Sequence, residues 1–210
     1  MRTLLIASLL LGAACAGSSP PVKLSDEWPA RASADDYDDI HEKWTRHGRD
    51  HADPDGKLEI AETIDVYATF KSPEWRAAYI AHRAELHAMP RSEVAALTKQ
   101  AQEEMAQHYE VQLLVSTWDR RANDLNKGKR STWRVALMDD QGHEIVADDI
   151  KRDRRPASEI KADYPDLGGF HTAYVARFPR TVDLLRPDAR KFSLKVTSSQ
   201  GGVTMTWSEK

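Results

Sequence analysis

The period of hydrophobic and polar positions changes several times along the chain, and each change marks an element. Residues 4–11 are apolar apart from Ser8, behind the positive Arg2 and ahead of Gly12-Ala13-Ala14-Cys15. Tyr37, Ile40 and Trp44 recur at i, i+3 and i+7, one face of a short helix. Ser33 is placed to cap it, the acids of Asp35-Asp36-Tyr37-Asp38-Asp39 suit its positive first turn, and Gly48 is placed to end it. The acid run also reads as a merely solvated segment. From Leu58 to Phe70 the alternation of Leu58, Ile60, Ile64, Val66, Ala68 and Phe70, rich in β-branched neighbours, predicts a strand. Ile60, Ile64, Tyr67 and Ala68 fit a helical period as well.

Ser72-Pro73-Glu74 supplies a cap, a first-turn proline and an early acid for a helix lined by Trp75, Tyr79, His82 and Leu86. Met89-Pro90-Arg91 breaks it, and Ser92 is the expected cap of a second helix carrying Val94, Leu97, Ala101 and Met105. Together they predict a helical hairpin. The period then becomes two. Tyr109-Val111-Leu113-Val115, Trp133-Val135-Leu137, the region from Ile145 to Ile150, and Phe170-Thr172-Tyr174-Ala176-Phe178 each predict a strand. Phe192-Leu194-Val196 and Val203-Met205-Trp207 flank Ser198-Ser199-Gln200-Gly201-Gly202 and predict a closing hairpin. On this parity Trp133 and Trp207 face inward. The pattern predicts a mainly β fold with some α: a seven-stranded antiparallel immunoglobulin-like β-sandwich, with the helical hairpin inserted between strands one and two.

The expected organisation is a signal segment over 1–14 and a flexible tether over 15–32, where Ser18-Ser19-Pro20-Pro21 and Trp28-Pro29 lie. A short helix and turn follow over 33–56, then the sandwich domain over 57–210 with its helical insertion at 73–108. The chain of 210 residues carries 30 Lys and Arg against 33 Asp and Glu, a net charge of -3. That balance argues against nucleic acid as a partner, because no cationic excess is available to displace counterions. Six Trp and six Tyr add apolar area to a modest core.

The N-terminal pattern is that of a secretory signal, with an apolar run too short to span a bilayer. At Leu11-Gly12-Ala13-Ala14-Cys15 it resembles the lipobox of bacterial lipoproteins, with Gly12 where that family usually has Leu. The resemblance implies cleavage before Cys15 and acylation of its thiol and new amine. It implies a membrane partner reached through acyl chains on Cys15. Ala16, in place of an Asp after the cysteine, implies the outer membrane, on its periplasmic face or at the cell surface. Cys15 is the single cysteine. An intramolecular disulfide is therefore impossible, as is a thiolate zinc site, and stability must come from packing.

Chemistry-bearing motifs are few. Asp53-Pro54-Asp55-Gly56-Lys57-Leu58-Glu59-Ile60-Ala61-Glu62 resembles the second part of an EF-hand loop, with Asp53, Asp55 and Glu62 as calcium ligands. His51 would occupy the first ligand position, where a hard cation requires oxygen, and strand periodicity follows in place of the exit helix. A turn into the strand is the competing reading. The histidines lack metal-site spacing, and no nucleophile elbow or phosphate loop is present. The expectation is a protein without cofactor or catalytic residues. Two basic clusters, Arg120 and Arg121 with Lys127, Lys129 and Arg130, and Arg152 with Arg154 and Arg155, fall in loops expected at opposite ends of strands. They suit anionic lipid headgroups or an acidic partner such as another envelope protein, and equally suit plain solvation.

Two stretches, Ala68-Thr69-Phe70-Lys71-Ser72-Pro73-Glu74-Trp75-Arg76-Ala77-Ala78-Tyr79 and Ser116-Thr117-Trp118-Asp119-Arg120-Arg121-Ala122-Asn123-Asp124-Leu125 with Ser131-Thr132-Trp133-Arg134-Val135, resemble a group of uncharacterised bacterial lipoproteins. That resemblance carries no activity. The expected function is a lipid-anchored, non-enzymatic binding or assembly module of the cell envelope, with a calcium-responsive module using residues 51–62 as the alternative.

Overall fold

The computed structural model describes residues 19–52, 61–199 and 201–209. Among these, nine strands form two antiparallel sheets. The first has the order β1 (Thr45–Ala52), β2 (Ala61–Phe70), β3 (His108–Thr117), β7 (Thr172–Pro179), β6 (Asp149–Arg152). The second has the order β5 (Glu144–Val146), β4 (Arg134–Asp139), β8 (Lys191–Ser198), β9 (Gly201–Ser208). Four α-helices accompany them: α1 (Tyr37–Trp44), α2 (Pro73–Leu86), α3 (Arg91–Gln107) and α4 (Ala157–Asp163).

The core lies between the sheets, where the period-two residues meet. Ile64, Val66, Ala68 and Phe70 of β2 and Val111, Leu113 and Val115 of β3 are fully buried. Across from them Phe70 lies 4.6 Å from Phe192, which stacks on Trp207 at 5.0 Å. The other face of the first sheet is covered too, so Glu110, Gln112 and Leu114 are also buried. There Tyr164, after α4, stacks on Trp75 of α2 at 5.8 Å, and His171 meets the Tyr67 ring edge-on. Ser72 caps α2 as its sequence predicts, its hydroxyl accepting from the Trp75 amide at 3.1 Å. Gly142, at φ +91, makes the turn between β4 and β5 that Asp140-Gln141-Gly142 predicts.

The structure differs from the sequence expectations in several places. Nine strands form where the pattern predicts seven, and their order is not the A-B-E-D over C-F-G arrangement of an immunoglobulin constant domain. The added first strand, β1, has no apolar alternation. The single strand expected around Ile145 to Ile150 is two: β5 belongs to one sheet and β6 to the other, so the chain changes sheet at Ala147-Asp148. The two helices expected after the first strand follow the second, β2, and Pro90, not Ser92, stands at the cap of α3. Lastly, the described part of the expected tether is docked. Val22 and Leu24 are buried in the core cluster, and the Val22 amide donates to the Ser208 carbonyl at 3.0 Å.

Candidate interaction surface

Antiparallel pairing brings several connections to one end of the molecule. Thr117 of β3 opposes Ile64 of β2, Thr172 of β7 opposes Val115, and Arg152 of β6 opposes Tyr174. In the second sheet Arg134 opposes Thr197, and Gly202 donates its amide to the Asp50 carboxylate of β1 at 2.7 Å. The segment 118–133, the two ends of the segment 153–171 and the β8–β9 turn therefore share this end.

Two large aromatics stand out from it. Trp118, just past β3, and Phe170, just before β7, are each 76% exposed. A single exposed apolar side chain is ordinary, but two rings bordering one cavity form a patch, and an exposed patch is informative. Between them lies an open cavity of about 310 Å³, lined by Ser116, Thr117, Trp118, Arg120 and Phe170. The Arg120 guanidinium lies 5.7 Å over the Phe170 ring, a cation–π distance.

Local turn chemistry holds Trp118 outward. The Thr117 hydroxyl donates to the Asp119 carbonyl at 2.9 Å, and the Asp119 carboxylate accepts the Arg121 amide at 2.9 Å, starting a 3-10 turn. Asn123 then anchors the loop from inside. Its amide nitrogen donates to the Val115 carbonyl at 2.8 Å, and its oxygen accepts the Tyr174 hydroxyl at 2.8 Å. The Trp133 indole donates to the Ala122 carbonyl at 2.7 Å. Asp124 accepts the Ser131 hydroxyl and the Thr132 amide. With its polar groups satisfied inward, the loop presents its cations outward.

Arg120, Arg121, Lys127, Lys129 and Arg130 are all exposed. Among the described residues, Lys127 reaches Asp124 at 3.7 Å, and the other four have no carboxylate within salt-bridge distance. The second cluster joins the first. Arg152 lies 5.9 Å over the ring of Tyr174, the residue whose hydroxyl holds Asn123, and Arg154 is exposed beyond it. The two clusters thus sit at the same end, not at opposite ends. Arg155 is the exception. It turns inward, bonding Asp153 at 2.7 Å and also Asp163; burial raises the Asp153 carboxyl, and its hydrogen bonds from Arg155 outweigh that and hold it below its usual range. Its role is structural.

The acidic residues Asp35, Asp36, Asp38 and Asp39 lie at the start of α1, whose end runs into Thr45 opposite Thr69. Cys15, Asp53 and Asp55 lie outside the described residues, as does the side chain of Glu62. The flanks of the EF-hand-like stretch are the paired strands β1 and β2, where an EF-hand has helices.

Sequence reasoning located the cations and missed the two aromatics. Trp118 had a signal: it is off the inward parity of β3 and borders the turn-forming Asp119. For Phe170 parity misleads, since it matches Thr172 and Tyr174, but Gly168-Gly169 just ahead of it delays the strand to Thr172. No protein-family model, curated protein or solved structure matches this chain.

Proposed function

We propose that this is a lipid-anchored, non-enzymatic module of the bacterial cell envelope, tethered through Cys15, whose aromatic and basic end lies on an anionic membrane surface. The observation that carries the reading is the pair of 76%-exposed rings, Trp118 and Phe170, set among exposed cations at one end. Aromatic side chains favour the headgroup level, and each nearby cation adds about 1 kcal/mol at an anionic surface.

The direction of the N-terminal segment supports the same orientation. The Pro20 carbonyl accepts from Arg46, whose guanidinium also donates to Thr206, while Val22 and Leu24 bond Ser208 and Glu209. Followed backward, this segment runs alongside β9 toward its Gly201 end. Five residue steps lead from Pro20 back to Cys15, a reach of at most about 17 Å. The span from Thr206 to Gly201 is about the same at ~3.4 Å per residue.

Two measurements test the reading. Cys15→Ser should block processing or release the protein from the membrane fraction, and unchanged partitioning would remove the anchor. The unlipidated Cys15→Ser chain should sediment with vesicles containing phosphatidylglycerol and not with phosphatidylcholine alone. Trp118→Ala with Phe170→Ala should abolish that binding while leaving the thermal melt unchanged. Equal sedimentation of both forms would remove the surface.

A further inference from the structure

An end that met lipid through charge alone would need no cavity. Here one lies between the two exposed rings, lined by Trp118 and Phe170 and by Ser116, Thr117 and Arg120. At about 310 Å³ it stands at the lower limit of small-ligand clefts, which run from roughly 300 Å³ to 1,000 Å³. Its apolar walls are open. Each ring is 76% exposed, and among the described residues the ring contact the pair makes is that of the Arg120 guanidinium with Phe170.

The polar part of the lining has hydrogen-bonding capacity to offer a ligand. Arg120 is exposed and has no carboxylate within salt-bridge distance among the described residues, so its planar fork of N–H donors faces no fixed anion. Ser116 is half-buried near the end of β3, and because Val115 faces the core, the Ser116 side chain lies on the outer face of the sheet. Its hydroxyl makes no hydrogen bond among the described residues. The Thr117 hydroxyl donates to the Asp119 carbonyl and keeps its lone pairs as acceptors. The carboxylates beside the cavity are engaged. Asp65, opposite Ser116 in the β2–β3 register, has His47 Nε2 at 2.6 Å and accepts from Arg49 at 2.9 Å. Asp119 accepts the Arg121 amide at 2.9 Å.

One cation and two hydroxyls suit a ligand with a single negative charge and hydroxyls of its own. At an anionic lipid surface that describes a phosphodiester bearing a short polyol. A headgroup that also carries an ammonium suits the cavity less. Arg120 already covers the Phe170 ring, the face a second cation would seek, and Arg121 and Lys127 of the same loop repel it.

We propose that this cavity seats the headgroup of a single phosphatidylglycerol-type lipid, with the Arg120 guanidinium donating to the phosphodiester and Ser116 and Thr117 exchanging hydrogen bonds with the glycerol hydroxyls. The seat rests on the membrane reading above and adds to it a preference for one headgroup over others of equal charge.

The test therefore holds charge constant. The unlipidated Cys15→Ser chain is sedimented with phosphatidylcholine vesicles containing equal fractions of either phosphatidylglycerol or phosphatidylserine, both singly anionic. Binding to phosphatidylglycerol should be tighter by about tenfold, the contribution of one or two hydrogen bonds. Ser116→Val, with its fold checked by thermal melt, should lose that preference. Arg120→Gln should weaken binding to phosphatidylglycerol by more than Arg121→Gln, which removes a neighbouring exposed cation outside the cavity. Equal binding of the wild-type chain to the two lipids overturns the seat and leaves the anionic-surface reading standing, whereas no binding to either removes both. An undiminished preference in folded Ser116→Val, or equal losses for the two arginine variants, also overturns the seat. So does soluble glycerophosphoglycerol binding as tightly as the vesicles, which would make a free phosphodiester the ligand.

Discussion

The indole nitrogen of Trp207 donates to the main-chain carbonyl of Trp44 at 2.9 Å, joining the last strand to the residue where α1 passes into β1. The Trp207 ring is fully buried, stacked on Phe192 and overlain by the Arg46 guanidinium at 5.7 Å. Trp207→Ala should therefore cost about 3–5 kcal/mol, as truncation of a buried tryptophan does. Against a typical total of about 5–15 kcal/mol, with no intramolecular disulfide available, the thermal melt should fall sharply. Deleting residues 203–210 should prevent folding. Trp28→Ala, at a half-buried position outside the core cluster, should change the melt far less. Equal melting temperatures for the two alanine variants would show that β9 is not integral.

Val22 and Leu24 make the N-terminal segment part of the domain. Both are buried against the core, and Arg46 binds the Pro20 carbonyl at 2.7 Å. Burying two such side chains contributes about 1.5–3 kcal/mol each. A chain starting at Ser25 should therefore be about 3–6 kcal/mol less stable in denaturant titration than one starting at Ala16. A difference below the error of the titration would return this segment to the status of a tether.

The expected tether and the overlooked β1 have a common physical cause: neither shows its partner in its own pattern. Strand β1 faces the core with Arg46, Gly48 and Asp50, opposite Ala68, Val66 and Ile64. Those residues belong there for reasons composition cannot signal. Arg46 spends its donors on the carbonyls of Lys43, Thr45, Pro20 and Thr206. Gly48 admits β9 so closely that a β-carbon there would lie 3.0 Å from Val203 Cβ. Asp50 accepts the Gly202 amide. By contrast, α1, β2, β3, the cap of α2 and the β8–β9 hairpin follow from local period and turn chemistry. The basic clusters were legible as residues, whereas their convergence depends on the sheet order β3-β7-β6, which is a long-range property.

Glu110 makes stability depend on acid. Burial alone would raise its carboxyl. Lys71, Arg76 and Arg177 more than offset that and hold it at about 2, below its ordinary 4.5. A carboxyl whose folded value is depressed stabilises fully above the unfolded value, and the contribution is lost as pH falls through the folded one. The window is therefore from about pH 4.5 down to about pH 2, and the amount is about 3 kcal/mol at 1.36 kcal/mol per unit. Denaturant midpoints measured across that window should fall steeply for the wild-type chain. Glu110→Gln should be less stable at neutral pH and flatter below pH 4.5. A variant whose acid dependence parallels the wild type would show that other carboxylates dominate.

The convergence of the two basic clusters predicts a particular response to salt. Arg121, Lys129 and Arg154 are exposed and lack carboxylate partners among the described residues, so replacing them should leave the fold intact. Each contributes about 1 kcal/mol near an anionic surface. Together Arg121→Gln, Lys129→Gln and Arg154→Gln should weaken binding of the unlipidated chain to phosphatidylglycerol vesicles by about a hundredfold, at ~1.4 kcal/mol per decade. Raising the ionic strength from 0.01 M to 0.15 M contracts the screening length from about 30 Å to about 8 Å and should weaken wild-type binding in the same way. The triple variant should respond less, because fewer charges remain to be screened. Arg155→Gln should behave differently: its guanidinium is held by Asp153 and Asp163, so it should lower the melting temperature with little direct effect on vesicle binding. If the triple variant binds as tightly as the wild type, or if Arg155→Gln weakens binding as much as the triple without destabilising the fold, the cations at this end are not what the membrane meets.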